Sequence, residues 1–335
     1  MPRIDFAARN TPLQPADRLG AALGLDAGAL WIKRDDLTGL PAGGNKARKL
    51  ERLVADAVAQ RCDVLVTGGA AQSNHVRATG AAARAAGLRC VAVLAEREAP
   101  RTVEGNLVLD DLFGIEVVWC RPAERRDVQR RTVEALRVDG CSPYSIPLGG
   151  SSPVGAAAYA DAADEIVGAL DGHIPLVVTA VGTGGTHAGL AVGLGAHDRV
   201  LGVDVAAVAG VASAIGPLAD AAARHLGRPA PTGEVRLDTS QATPAYGEPY
   251  DELFDTIRLV ADTEGLVLDP VYSGRAMTGL RAALANGRVD TGERIVFVHT
   301  GGLPALFTDR YAHRFAVREA AIDLAAESAE TEGIS

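Results

Sequence analysis

The sequence predicts an α/β protein built on two open, twisted parallel sheets, with helices on both faces of each. Three observations lead there. Short β-type runs alternate with Ala-rich helical stretches at a pitch of about 25 to 28 residues, which is the pitch of βα units. Glycine-rich or polar segments follow the runs where strands should end. The 335 residues are enough for about two domains of roughly 150 residues each.

The elements read in order as follows. Asp63–Thr67 is a strand candidate, and a helix follows from about Ser73 to Ala86. Cys90–Leu94 is the next strand, then a helix near Val103 to Phe113. Ile115–Trp119 precedes a charged helix from about Arg125 to Val138, and Tyr144–Ile146 is a fourth short run. A helix returning over each strand makes these pairings parallel and buries the sheet on both sides. The Pro- and Gly-rich stretch Pro147–Pro153 then breaks the pattern. A long helix, Val154 to Leu170, leads to the apolar strand Pro175–Val181, and later strands are Val200–Asp204 and Arg294–Val298. The expected division is a small domain at 50–150 and a larger one made of 1–49 with 151–326. An acidic tail at 327–335 is expected to fray.

Composition narrows the function classes. Charged residues make up 22% and hydrophobic ones 47%, an ordinary globular balance that excludes a disordered chain. No run approaches the ~18 apolar residues of a membrane span. The first ten residues lack a basic region followed by an apolar one, so a cytoplasmic enzyme is expected. A net charge of −9 argues against nucleic acid, whose phosphates need clustered Lys and Arg. Cys62, Cys90, Cys120 and Cys141 form no CxxC pair and are expected as buried, reduced thiols. No metal-binding or serine-hydrolase motif occurs, so no metal is expected.

Five segments could carry chemistry. In Gly43-Gly44-Asn45-Lys46-Ala47-Arg48-Lys49, the glycines allow close backbone approach to a ligand. Lys46 opens a helix among other cations, where a partly desolvated amine loses its proton near neutrality and becomes nucleophilic; alone, the segment equally reads as a solvated basic helix start. In Gly68–His75, Ser73 is a natural N-cap, and the free N–H groups beside it suit a carboxylate. Gly182-Thr183-Gly184-Gly185-Thr186-His187 follows a strand. It imitates a dinucleotide fingerprint, with Asp204 placed as a ribose-binding acid but His187 where Gly or Ala belongs. The same turn can hold one phosphate monoester. Asp269–Ala276 and His299–Gly302 complete the set. Tyr272, and Tyr246 in a similar turn, attract attention because the chain has only six tyrosines.

A reactive lysine with a phosphate turn suggests pyridoxal phosphate, which needs both. Taken together, the motifs GGNKxRKLE, QSNHVR, GTHAGLAVGL, DPVYSG and HTGG resemble those of the D-cysteine desulfhydrase and 1-aminocyclopropane-1-carboxylate (ACC) deaminase family. That family belongs to the tryptophan-synthase-β-like, fold type II pyridoxal phosphate enzymes. The resemblance runs from about Thr11 to Phe307.

It implies a cofactor in the cleft between two domains, a small amino-acid substrate and a homodimer. Lys46 would carry the cofactor as a Schiff base. Asn74 would meet the pyridoxal O3′. Gly182, Thr183, Gly184, Gly185 and Thr186 would hold the phosphate, with Lys49 as counter-charge. Ser73, Asn74 and His75 would receive the substrate carboxylate. Tyr246 and Tyr272 would face the substrate, and Ser273 and Thr300 would lie near the pyridine nitrogen. ACC deaminases carry glutamine at the position of His75, an acid at that of Ser273 and leucine at that of Thr300. All three differences favour the desulfhydrase side. A hydroxyl at the ring nitrogen makes a weaker electron sink than an acid, which suits loss of a good leaving group from Cβ. Arg275 stands where relatives usually have lysine. The expected activity is β-elimination from D-cysteine to pyruvate, hydrogen sulfide and ammonia. ACC deamination and L-cysteate desulfonation are alternatives, the latter needing a further pocket cation for which Arg275 is the candidate. Of other classes, a nicotinamide-dependent oxidoreductase and a non-catalytic binding protein remain.

Overall fold

The computed structural model describes residues 4–6, 10–96 and 102–317; the acidic tail lies outside them. Among the described residues, ten strands form two sheets. They are β1 (Leu13–Pro15), β2 (Leu30–Lys33), β3 (Val64–Ala70), β4 (Arg89–Ala95), β5 (Glu116–Cys120), β6 (Pro143–Ser145), β7 (Leu176–Val181), β8 (Val200–Asp204), β9 (Arg236–Asp238) and β10 (Ile295–Val298). The first sheet has six strands in the order β1-β2-β10-β7-β8-β9, and the second has four in the order β5-β4-β3-β6. Pairings are parallel throughout except at one edge, where β1 runs antiparallel to β2. The expectation of purely parallel sheets is corrected there. An antiparallel edge strand needs no crossover, so α1 (Asp17–Ala22) and a short turn suffice to link the two.

The alternation of side chains across the six-stranded sheet creates two cores. Val178, Ile295 and Phe297 face one way, against Phe254 and Ile257 of α9 (Asp251–Glu264) and Met277 and Leu280 of α10 (Ser273–Ala285). Val177, Val296 and Val298 face the other way. There they meet Tyr159 and Ile166 of α6 (Pro153–Ala169) and Leu190 of α7 (Gly185–Leu194). Helix α8 (Ala212–Leu226) extends that layer. In the smaller sheet, α2 (Lys46–Ala59) and α3 (Asn74–Ala85) cover one face, and α5 (Arg125–Val138) the other through Val133.

Small residues substitute for aromatics where helices touch. A Cβ on Gly189 of α7 would lie 2.0 Å from the Ala156 carbonyl oxygen of α6. The Ala- and Gly-rich composition therefore permits close helix packing rather than a loose core. Boundaries move where backbone geometry requires it. The helix expected from Val103 starts at Asn106, as α4 (Asn106–Leu112), because Gly105 adopts φ +54° and the preceding residues form a loop. The cysteines are all free, but only Cys90 and Cys120 are buried; Cys62 and Cys141 are half-exposed. No helix among the described residues is long and apolar enough to cross a membrane.

Candidate active site

A cavity of about 1000 Å³ gathers most of the singled-out residues: Lys46, Lys49, Ser73, Asn74, His75, the run Gly182–Thr186, Tyr246, Tyr272 and Thr300. Those after β3, β7 and β10 lie at strand carboxyl ends, where open α/β sheets bind ligands; Lys46 and Lys49 come from α2, Tyr246 from the loop before α9 and Tyr272 from the N-cap of α10.

Lys46 is the first residue of α2. Gly43 and Gly44 have φ of +53° and +101°. A Cβ on Gly43 would lie 1.8 Å from the Asp36 carbonyl oxygen, and one on Gly44 would lie 2.8 Å from that of Thr300. The glycines thus let the loop press closely on neighbouring backbone. That contact, with Asn45 N–H donating to the Thr300 carbonyl at 3.1 Å, fixes the start of α2 against the end of β10. Lys46 Nζ donates to Asn45 Oδ1 at 2.9 Å. Burial, with the nearby Arg77 charge, lowers its pKa to about 8, against a weaker opposing pull from Asp269. Arg48 is not the cation beside it. Its guanidinium turns to Asp35 and Glu165, at 2.9 and 2.8 Å, in a buried network shared with Lys33.

Ser73 caps α3, its Oγ accepting from Val76 N–H at 3.3 Å. Asn74 Oδ1 is held by Asn106 Nδ2 at 3.0 Å and Arg77 Nη1 at 3.3 Å, which leaves its NH₂ group to donate into the cavity. His75 Nε2 pairs with Thr67 Oγ1 at 2.9 Å, while Nδ1 has no partner. Burial, reinforced by Lys46 and Lys49, holds this imidazole well below its usual pKa and therefore neutral.

The turn after β7 has the form of an anion-binding turn. Gly184 is left-handed at φ +80°, and α7 begins at Gly185, whose N–H donates to Ser151 Oγ at 3.2 Å. Thr186 Oγ1 accepts from Asn45 Nδ2 at 3.0 Å, and Thr183 Oγ1 meets Ser151 Oγ at 2.6 Å. A Cβ on Gly185 would lie 2.9 Å from Lys49 Nζ. Lys49 is 2% exposed, and its one hydrogen bond is to the Gly149 carbonyl at 3.3 Å. Burial, then Lys46, push its pKa well down. A buried amine without a carboxylate, beside threonine hydroxyls and a helix N-terminus, fits a phosphate dianion. A nucleophilic lysine in the same cavity fits the aldehyde of the same cofactor.

Tyr246 and Tyr272 share a hydrogen bond of 2.5 Å between their hydroxyls. Lys46 Nζ stands 6.0 Å from the centre of the Tyr272 ring. Burial raises the pKa of both phenols. Asp269 seats this region: its carboxylate accepts from the N–H groups of Val271, Tyr272 and Ser273 at 2.7 to 2.9 Å, and from Ser273 Oγ at 2.7 Å.

Some sequence-derived residues stand elsewhere. Ser273 is fully buried and does not line the cavity; its hydroxyl is spent on Asp269. Asp204 accepts from Ala206 N–H and lies outside the cavity. His187 is fully buried against Gly202, so neither serves a dinucleotide. Arg275 is also fully buried and outside the cavity, so it is not the pocket cation that the L-cysteate alternative named; Arg125, Arg126, Arg130 and Arg137 line the cavity instead. Sequence reasoning missed Ser151, Arg77 and Asp269 as site-building residues. Asp269 lay within a quoted motif, and Ser151 within a stretch read only as a junction.

Comparison with known proteins agrees with this chemistry. The chain is 42% identical over 318 residues to the D-cysteine desulfhydrases of Salmonella typhimurium (strain LT2) and Yersinia pestis (strain Pestoides F), covering 91% of this chain and 95% of each of those proteins. The crystal structure of an ACC deaminase homologue superposes with a TM-score of 0.83 at 36% identity, over 92% of this chain and 94% of that one. A threonine deaminase from Solanum lycopersicum shares the fold, with a TM-score of 0.61 at 18% identity over 89% of this chain and 80% of that one. The family model described as pyridoxal-phosphate dependent enzyme matches residues 4–301. With that match across most of its length and relatives 42% identical, the chain belongs to the pyridoxal-phosphate dependent enzyme family.

Proposed function

We propose that this enzyme performs β-elimination on D-cysteine, giving pyruvate, hydrogen sulfide and ammonia. The observation that carries the reading is one cavity holding a buried Lys46 amine, a phosphate cup and a hydrogen-bonded tyrosine pair. The choice of D-cysteine rests on the names of the relatives.

Lys46 would join the cofactor aldehyde. Lys49 and Gly182–Thr186 would hold its phosphate, Asn74 its O3′, and Thr300 would stand at the ring nitrogen. Ser273, outside the cavity and hydrogen-bonded to Asp269, is not assigned a contact with the cofactor. Bound pyridoxal phosphate supplies an electron-withdrawing ring that acidifies the substrate's Cα–H. The N–H groups of Asn74 and His75 at the start of α3 would take the substrate carboxylate, with Ser73 beside them through its side chain, since its own N–H donates to the Ala70 carbonyl at 3.1 Å. The freed Lys46 amine removes the Cα proton, and its lowered pKa leaves enough unprotonated base near neutrality. The Cβ–S bond breaks with its electron pair on sulfur, and the Tyr246–Tyr272 pair gives the proton that completes hydrogen sulfide. The released enamine takes up water, losing ammonia and leaving pyruvate.

ACC deamination is the second reading, favoured by the likeness to the ACC deaminase homologue. The residues at 75, 273 and 300 weigh against it. We also assign 1–49 with 151–326 to one domain and 50–150 to the other. The strands of the six-stranded sheet all fall in the first and those of the four-stranded sheet in the second, with α2 crossing the boundary. A homodimer follows from the family resemblance. A cytoplasmic setting agrees with four free cysteines.

One set of assays tests the reading. The purified enzyme is given D-cysteine, L-cysteine, L-cysteate and ACC separately while pyruvate, sulfide and 2-oxobutyrate are measured. Pyruvate and sulfide from D-cysteine, lost in Lys46→Ala, are expected. 2-Oxobutyrate from ACC as the fastest reaction would replace the first reading with the second.

A further inference from the structure

Arg275 takes no part in lining the cavity. It is 0% exposed, and no carboxylate pairs with it among the described residues. Its Nη1 donates to the carbonyls of Gln241 and Pro244 at 2.9 and 3.0 Å. Its Nη2 donates to those of Ala245 and Glu248 at 2.9 and 2.7 Å. The guanidinium also lies 5.4 Å from the centre of the Tyr250 ring. All four acceptors belong to one short segment, 241–248, and they flank Tyr246.

The helix turn that carries Arg275 also carries Tyr272, three residues earlier, and Asp269 holds that turn by four hydrogen bonds. One rigid turn therefore presents Tyr272 to the cavity and grips the segment that presents Tyr246. The 2.5 Å contact between the two hydroxyls depends on that shared frame. Tyr311 supplies a second anchor, donating to the Gly247 carbonyl at 2.6 Å.

Burying a guanidinium without a counter-ion is costly, and several hydrogen bonds must compensate. A lysine has three N–H donors on one atom and cannot reach four carbonyls in a planar fan. The positive charge also acts on the phenols nearby, working against burial at Tyr246, Tyr250 and Tyr311.

We infer that Arg275 is a positioning residue: by gathering the carbonyls of 241, 244, 245 and 248, it fixes Tyr246 against Tyr272 as the proton-delivering pair. The inference rests on the role proposed above for Tyr246.

The test is a double-mutant cycle in the cofactor-loaded enzyme, with Arg275→Lys, Tyr246→Phe and the pair together, assayed on D-cysteine. Arg275→Lys is expected to lower kcat on the order of tenfold to a hundredfold, the scale of a misplaced catalytic group. KM should move much less, and the visible absorbance of bound cofactor should match wild type. In the Tyr246→Phe background the same substitution should change nothing further. Hydrogen exchange should quicken at least tenfold in 241–250 and stay unchanged in β7. Arg275→Gln is the second variant should the lysine form not fold, with the same expected pattern. A wild-type kcat in a folded Arg275 variant, or losses that multiply in the double variant, overturns the inference alone. Wild-type turnover in Tyr246→Phe removes the proposed role of Tyr246 and this inference with it.

Discussion

Asp110→Asn is expected to stabilise this enzyme at pH 8 and to lose that advantage in acid. Asp110 lies on α4, 2% exposed, and neither carboxylate oxygen has a hydrogen-bond partner. Burial raises its pKa from 3.8 to about 7, and the charge of Arg77 recovers only part of the loss. The folded protein therefore holds a proton there that the unfolded chain releases at about pH 4. The stability this proton confers is complete below that pH and is lost as pH rises towards 7. A shift of about 3 units is worth about 4 kcal/mol at 1.36 kcal/mol per unit. Between pH 5 and pH 8 the charge-dependent part amounts to about 2.5 kcal/mol by the same linkage. Asparagine is neutral throughout, and its buried amide adds a cost of about 1 to 3 kcal/mol that does not vary with pH. The informative quantity is thus the change in ΔΔG between pH 5 and pH 8, from urea unfolding of both proteins. A change of about 2 to 3 kcal/mol in favour of the variant at pH 8 is expected. Parallel stability curves would falsify the argument, since they would mean that Asp110 titrates normally in the folded state.

Three further outcomes follow from the site and the packing. In cofactor-free enzyme, the rate at which Lys46 captures pyridoxal phosphate should rise with pH, reach half its limit near pH 8 and then level off, because its pKa is lowered to about 8; a rate still climbing at pH 10 would show an ordinary lysine. Lys49→Ala should weaken cofactor binding tenfold to a hundredfold, the value of about one charge-assisted hydrogen bond, as read by equilibrium dialysis. The cofactor-free variant should be no less stable than wild type, because a buried, unpaired amine is gone. Gly189→Ala should cost about 1 to 3 kcal/mol or more by overpacking, its Cβ falling 2.0 Å from the Ala156 carbonyl. Gly168→Ala, on α6 with nothing within 4 Å, should be neutral or stabilising in the same thermal-melt series.

Much of the fold was legible because its signals are local. The helix over Arg125–Val138 and the strand Val200–Asp204 fall where their patterns place them. Ser73 caps α3 because a hydroxyl before a helix satisfies a free N–H whatever lies around it. The motifs led to the family for a similar reason: each is a contiguous stretch whose backbone must turn in one way. Strand β2 was not legible. Its Leu30-Trp31-Ile32-Lys33 is short and ends in a charge, and that buried lysine is met by Glu165 of α6 and by the Thr11 carbonyl, each at 2.7 Å. Lys46 was expected to owe its reactivity to neighbours in sequence, yet Arg77 of α3 supplies the charge while Arg48 turns away.

The sequence by itself determined the βα alternation, the glycine turns, the cap of α3 and the order of the motifs along the chain. The tertiary structure decided which of those motifs share a cavity. Parallel pairing of β10 with β2 and β7 brings Thr300, Lys46 and the turn at Gly182–Thr186 to the carboxyl end of one sheet from distant parts of the chain. It also decided protonation and reach: the amines of Lys46 and Lys49 lose water, Asp110 is left without a donor, and Arg275 is turned from the cavity to four carbonyls. Desolvation and long-range hydrogen bonds depend on what packs against a side chain, and neighbours in sequence do not specify that.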